Sequence, residues 1–209
     1  MTTLKPSLAL FDFDNTLTNR DTFLPFVQLT HSQKDYWLGL FKHGFTVLAY
    51  LLGWCPNEVI KELLLIEFYQ GWLFQDIQHL AVNYADQFLP NLIDQEALQQ
   101  LKWHQSEGHV VVLVSAALAI YLSPWGTMMQ IDYIIGNELE TEEGYITGKL
   151  KGKNCYGLEK VKRLEAVLGD LSSYYIYAYG DSHGDHEMLA VADEAYYRKF
   201  GNQQQTIVR

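Results

Sequence analysis

The chain has 209 residues, 48% of them apolar and 19% charged, and a formal net charge of −10 at pH 7. That length supports one good core, or a core with a smaller insert, and the composition excludes an intrinsically disordered chain. The acidic balance argues against nucleic acid as a partner, and two cysteines in no paired motif, Cys55 and Cys155, argue against a disulfide framework or a zinc site.

The N-terminus runs directly into an apolar stretch and lacks the features of a signal peptide, so a cytoplasmic chain is expected. A first strand is predicted over residues 8–14, Leu-Ala-Leu-Phe-Asp-Phe-Asp. In an extended chain Asp12 and Asp14 would project to one side. Two carboxylates placed together are costly unless a cation or phosphoryl chemistry needs them. From Asp21 to about Phe88 the pattern turns helical and aromatic-rich, with helices expected over 22–29, 34–52, 56–69 and 74–87. Pro56 and Gly71 act as breaks. The stretch 36–55 reads as a packed helix, with an interfacial contact as the alternative. A true membrane span would put Lys42 and His43 near the middle of the bilayer.

A second α/β unit follows. Residues 94–107 are expected to be helical and closed by Gly108. Val110-Val111-Val112-Leu113-Val114 is a continuous apolar run, as in a strand buried on both faces, and it ends in Ser115-Ala116-Ala117. Further strands are expected over 131–136, 174–179 and 195–197, with a hairpin over 137–151 and helices over 158–168 and 186–191. The tail 201–209 looks loosely held. Alternating strands and helices imply a doubly wound parallel sheet, interrupted after its first strand by an inserted helical domain. The division expected is 1–18 and 89–209 for the core and 19–88 for the insert.

Asp12, Asp14, Ser115, Lys160, Asp181 and Asp185 fall at predicted strand ends or a helix start, where ligands of open α/β sheets bind. Acids, a hydroxyl and one lysine suit a hard cation plus a phosphate. Each residue also has a plain alternative. Ser115 and Asp185 could cap helices, and His183 and His186 read as ordinary loop residues. Asp21 fits either a substrate-facing acid or a helix cap before Thr22.

Asp12-Phe13-Asp14-Asn15-Thr16-Leu17-Thr18 resembles motif I of the haloacid dehalogenase superfamily, D-x-D-x-[TV]. Val111–Ser115 resembles its motif II, Gly157–Lys160 its motif III, and Gly180–Asp185 its motif IV. The insert is similar to the C1 cap of the subfamily that contains phosphoserine phosphatase. The segments 136–157 and 177–182 look most like the small IB-type hydrolases, a group that includes phosphatidylglycerophosphatase C. The resemblance implies a Rossmann-like α/β core and a Mg²⁺-dependent phosphatase. Asp12 would be the nucleophile and Asp14 the proton carrier. Mg²⁺ would be held by the Asp12 carboxylate, the Asp14 backbone carbonyl and Asp181. Ser115 and Lys160 would hold the phosphoryl group, with Thr16 and Asp185 in support.

Departures from the phosphoserine enzymes are visible. Ala116 and Ala117 replace two glycines, Gly184 replaces an asparagine, and Arg20 is the only arginine near the insert. The expected partner is a phosphorylated small molecule or a phospholipid head group, with peripheral membrane contact through the insert. The insert's aromatics, Phe23, Phe26, Trp37, Phe41, Phe45 and Trp54, suit a bulky apolar group and equally a helical core. Two rival readings stand beside this one: phosphoserine phosphatase proper, and a receiver-like domain that accepts phosphate without turnover.

Overall fold

The computed structural model describes residues 5–52 and 57–198. The expected break at Trp54, Cys55 and Pro56 and the tail 201–209 lie outside the described residues. The strands are β1 (Ser7–Phe11), β2 (Val110–Leu118), β3 (Tyr133–Asn137), β4 (Leu139–Glu142), β5 (Tyr145–Leu150), β6 (Tyr175–Gly180) and β7 (Glu194–Tyr197). Five of them form a parallel sheet in the order β3-β2-β1-β6-β7, and β4 and β5 pair antiparallel. This is the expected Rossmann-like α/β arrangement, with β1 in the centre.

After β1 the described residues form the helices of the insert, α1 (Phe23–Thr30), α2 (Gln33–Lys42), α3 (Gly44–Leu51), α4 (Asn57–Tyr69) and α5 (Phe74–Asn83). Then come α6 (Gln95–Ser106) before β2, α7 (Ala119–Met128) after it, α8 (Leu158–Leu168) and α9 (His186–Ala190). Alternation along the central strands splits the core between the two faces of the sheet. Leu8, Leu10, Val112 and Val114 pack with Leu164 of α8 and Met188 of α9. Ala9, Phe11, Val111 and Leu113 join Ala97 and Leu101 of α6. That second cluster continues into the insert, where Phe26 meets Tyr121 of α7 at 5.1 Å and Tyr69 of α4 at 5.8 Å between ring centroids. Each such buried aromatic contributes about 1.5–3 kcal/mol, so insert and sheet share one apolar core.

Several expectations need correction. The single helix over 34–52 is two, because α2 ends at Lys42 and His43 forms its C-cap before α3 begins at Gly44. Helix α5 ends at Asn83, and a π-helical turn, Tyr84–Phe88, completes the segment. β2 does not stop at Ser115 but runs to Leu118. Helix α7 went unpredicted, since Pro124 sits inside it and its sequence is apolar without a clear stripe.

The hairpin also lies differently from its place in the sequence. It belongs to the expected core, yet it is bonded to the insert. Ile146 N–H donates to the Trp72 carbonyl at 2.9 Å, Gly71 N–H to the Ile146 carbonyl at 2.8 Å, and Phe74 N–H to the Gly144 carbonyl at 2.9 Å. Leu150 N–H donates to the Glu62 carboxylate of α4 at 3.1 Å.

One buried histidine fixes an acid limit on stability. His104 of α6 is fully buried, with Nε2 2.9 Å from the Tyr179 hydroxyl and Nδ1 2.7 Å from His109 Nδ1. Burial, and then the neighbouring His109, push its pKa down to about 3. The neutral ring is the folded form, so below pH 6.5 the unfolded chain takes up a proton that the folded chain refuses. Stability from this group is full above that pH and falls as the pH drops toward 3. Between pH 7 and 5 the loss expected is about 2 kcal/mol. Urea midpoints across that interval measure it, and His104→Gln flattens the slope.

Candidate active site

Asp12 is the first residue beyond β1, and its N–H donates to the Tyr179 carbonyl of β6 at 3.0 Å. The chain does not continue extended from there. The N–H groups of Thr16, Leu17 and Thr18 all donate to the Phe13 carbonyl, at 3.2, 2.9 and 3.0 Å, and Asn15 adopts φ 58°. Asparagine tolerates that left-handed conformation. β1 ends at Phe11 and a turn follows, so the two acids do not sit in an extended strand; both still border one cavity, each carboxylate with its own partners.

Asp12 points at Lys160. Lys160 stands in the first turn of α8 and is buried, and Nζ donates to Asp12 Oδ1 at 2.6 Å and to Asp185 Oδ1 at 2.5 Å. Asp185 Oδ2 accepts from Ser182 N–H at 2.9 Å, Ser182 Oγ at 2.8 Å and Asp181 N–H at 3.2 Å. Asp185 thus closes its own loop and anchors the lysine, and its side chain does not cap α9. Gly180 makes this possible, because a Cβ there would stand 2.5 Å from that of Asp185. Gly184, where the phosphoserine enzymes have asparagine, has the Tyr156 ring against it, in the space a side chain would need.

The charges do not balance. Burial works against the Lys160 ammonium, but Asp12 and Asp185 outweigh it and hold its proton firmly. Burial also acts against an ionised Asp185, yet Lys160 and the Ser182 donors keep its pKa below the usual carboxylate range. Burial pushes Asp12 up, with Lys160 opposing. Asp181 is pushed up to about 6 by burial first and then by the charges of Asp12 and Asp185. Oxygens of Asp12, Asp181 and Asp185 lie within 4.8 Å of one another. Three acids facing one ammonium leave uncompensated negative charge among hard oxygen donors. That donor set fits a hard divalent cation. Asp185 is fully engaged by Lys160 and its loop, so Asp12 and Asp181 are the carboxylates available to one. Thr16 Oγ1 supports Asp181 by donating to Oδ1 at 3.4 Å.

Asp14 borders the same cavity but has other partners. Its Oδ1 accepts from Thr22 N–H at 3.0 Å and Thr22 Oγ1 at 2.6 Å. Burial, and then the negative charge of Asp21, push its carboxyl up to about 8. Both effects favour the protonated acid. Asp21 Oδ1 accepts from the N–H groups of Phe23 at 2.9 Å and Leu24 at 3.4 Å. It holds the first N–H groups of α1, as a cap would, and also borders the cavity. Ser115 is buried within β2, its Oγ accepting from Ala117 N–H at 3.1 Å.

Asp12, Asp14, Asp21, Ser115, Lys160 and Asp181 line one cavity of about 980 Å³, together with Glu58 and Lys61 of the insert; Thr16, Thr22 and Asp185 stand behind it. A haloacid dehalogenase-like hydrolase family model matches residues 9–190. The chain belongs to that family. It is 32% identical over 197 residues to protein CicA of Caulobacter vibrioides, covering 94% of this chain and 87% of that one. It is 25% identical over 207 residues to a histidinol-phosphatase of Neisseria meningitidis, with 90% and 88% covered. Its fold matches a solved structure described as a phospho-aspartyl intermediate analogue of phosphoserine phosphatase, with TM-score 0.61, 19% identity and 91% and 85% covered. Family and relatives together support a phosphatase.

For this family member the structure adds residues that the sequence reading missed. Lys61 of α4 is buried and donates to the Ala116 carbonyl at 2.6 Å, so the insert reaches into the site. Burial pulls its pKa down, against the charge of Asp14. A signal was present: Lys61 shares a helical face with Leu64, Leu65 and Phe68, all buried. Thr22 is a hub between Asp14 and two tyrosines. Its Oγ1 lies 3.2 Å from the Tyr121 hydroxyl, and Tyr84 donates to its carbonyl at 2.9 Å. Nothing local in the sequence marks that convergence. Asn137 Nδ2 also donates to the Ala116 carbonyl at 2.8 Å, fixing the end of β2 beside the site. Cys155 is buried, and burial pushes its thiol up to about 11, so it is no nucleophile.

Proposed function

We propose that the chain hydrolyses phosphomonoesters through a phosphoryl group carried on Asp12, with Mg²⁺ as cofactor. The observation that carries this reading is the pairing in one cavity of Asp12, held by Lys160, with Asp14, whose surroundings favour its protonated form. Asp12 attacks phosphorus and the ester bond breaks. The Asp14 proton passes to the leaving oxygen. Asp14, now a carboxylate, takes a proton from water as that water attacks phosphorus and breaks the bond to Asp12. Lys160 and Ser115 hold the phosphoryl oxygens through both steps. The Asp12 and Asp181 carboxylates and the Asp14 carbonyl would hold Mg²⁺, which lowers the repulsion between an anionic nucleophile and an anionic substrate.

The substrate proposed is a small or lipid-linked phosphomonoester, acted on at the cytoplasmic side of a membrane. One observation favours a second reading, a phosphorylated amino acid such as phosphoserine. Lys61 and Asp21 place opposite charges on the insert side of the same cavity, and a zwitterion would match them.

The test is phosphate release from an aryl phosphate with Mg²⁺ present, then removed by a chelator. The expected result is turnover that stops on chelation and returns with Mg²⁺. A stable phosphoprotein without released phosphate would overturn hydrolysis in favour of a receiver-like role. A panel of phosphatidylglycerol phosphate, phosphoserine, phosphocholine and sugar phosphates then separates the two substrate readings.

A further inference from the structure

Helices α2 and α3 carry several large apolar side chains on the outside. Phe41 is 86% exposed, Phe45 84% and Trp37 61%, with Leu38, Leu48 and Leu52 all more than half exposed. Trp37 and Phe41 are one turn apart on α2, while Phe45, Leu48 and Leu52 follow i, i+3, i+7 spacing along α3 and its end. The inner side of α2 is accounted for. Tyr36 and Gly39 pack toward Phe68 of α4, so close that a Cβ on Gly39 would meet the Phe68 ring. The outer face is therefore additional to what the fold needs. Its two phenylalanines alone leave on the order of 300 Å² of aromatic surface in water. Neither helix is long and apolar enough to cross a membrane, and among the described residues no helix is.

We propose that this face docks on the surface of a lipid bilayer. Two observations select lipid. The first is charge. The chain holds 25 acidic residues, yet from Tyr36 to Asn57 there is no carboxylate; Asp35 and Glu58 bound the stretch, and its one lysine, Lys42, is paired with Glu67. An apolar surface free of carboxylates on an otherwise acidic protein is the part that an anionic membrane interface would not repel. The second is continuity with the site. Lys42 and His43, at the end of α2 just before α3, bind Glu67 near the end of α4 at 2.6 and 2.8 Å. Leu52, beyond the end of α3, lies six residues before Glu58, which borders the cavity, a chain reach of at most about 20 Å. The apolar face thus leads from the far end of α4 toward the cavity mouth. A bilayer there presents phosphate head groups to that mouth.

Flotation of the full chain with phosphatidylcholine–phosphatidylglycerol vesicles tests the proposal. The parent is expected to float. The double variant Phe41→Ser/Phe45→Ser is expected to partition roughly tenfold or more weakly. It should melt as the parent does and turn over a water-soluble aryl phosphate at the parental rate, since neither side chain touches the site. A parent that stays with the protein-only fraction overturns the proposal, as does a variant that floats equally well. A concentration-dependent dimer in sedimentation, dispersed by the same substitutions and blind to vesicles, would assign the face to a second copy of the chain. Docking and hydrolysis are read separately, so failure of either one is recognisable.

Discussion

Replacing Asp12 with asparagine is expected to remove phosphate release by at least about a thousandfold, the scale on which loss of a single nucleophile acts. Asparagine keeps the shape and keeps an oxygen for Lys160 Nζ, now 2.6 Å from Asp12 Oδ1. It cannot form the bond to phosphorus. The same change takes one charge from a buried cluster in which three acids face one ammonium. Stability should therefore hold or rise while activity disappears. Thermal melting without added metal and phosphate release from an aryl phosphate are the two readings. A variant within about tenfold of the parental rate would show that Asp12 is not the nucleophile. A variant that is inactive and also melts well below the parent would mean that the carboxylate is a structural group.

Lys160→Met tests the cluster from the other side, and here both readings should fall. Methionine matches the length and apolar stem of lysine but leaves Asp12 and Asp185 buried without their cation. Breaking one partner out of a buried ion pair costs about 3–5 kcal/mol. For a chain of this size that lowers the melting temperature by roughly 10 °C. The deficit should depend on pH with a definite sign. Without Lys160 the folded-state pKa of Asp12 stands further above its unfolded value. The folded chain then binds protons more readily than the unfolded chain, so the deficit shrinks as the pH is lowered and widens as it is raised. Melting curves from pH 5 to 8 read the slope, and the parent serves as reference for the separate acid limit set by His104. Adding Asp185→Asn to Lys160→Met removes a charge already left without its cation. It should restore part of the loss rather than deepen it.

The sheet was legible because its strands announce themselves. Val110–Val114 and the runs before Asp12 and Asp181 are apolar stretches that end in acid or hydroxyl groups, and strand ends of parallel sheets collect such groups. Lys160 was legible through its place after Gly157. What remained hidden is what depends on three-dimensional convergence. Lys61 is one charge among the apolar residues of its helix, and its reach to the Ala116 carbonyl depends on how that helix packs. Thr22, Tyr84 and Tyr121 meet across three elements that are distant in sequence. The different surroundings of Asp12 and Asp14 were hidden too, because the Phe13 carbonyl collects three N–H donors and turns the chain between one environment and the other. A two-residue spacing says nothing of that turn.

The strand-like bonding between Trp72 and Ile146 bears on how this protein can be recombined. A graft that exchanges the helical segment after the first strand for that of another family member would leave β5 facing a foreign edge, its N–H and carbonyl groups mismatched. The portable specificity module is discontinuous in the chain: the helices before β2 and the hairpin after β3 must be transplanted together. Chimeras that carry both pieces should fold where single-segment exchanges do not.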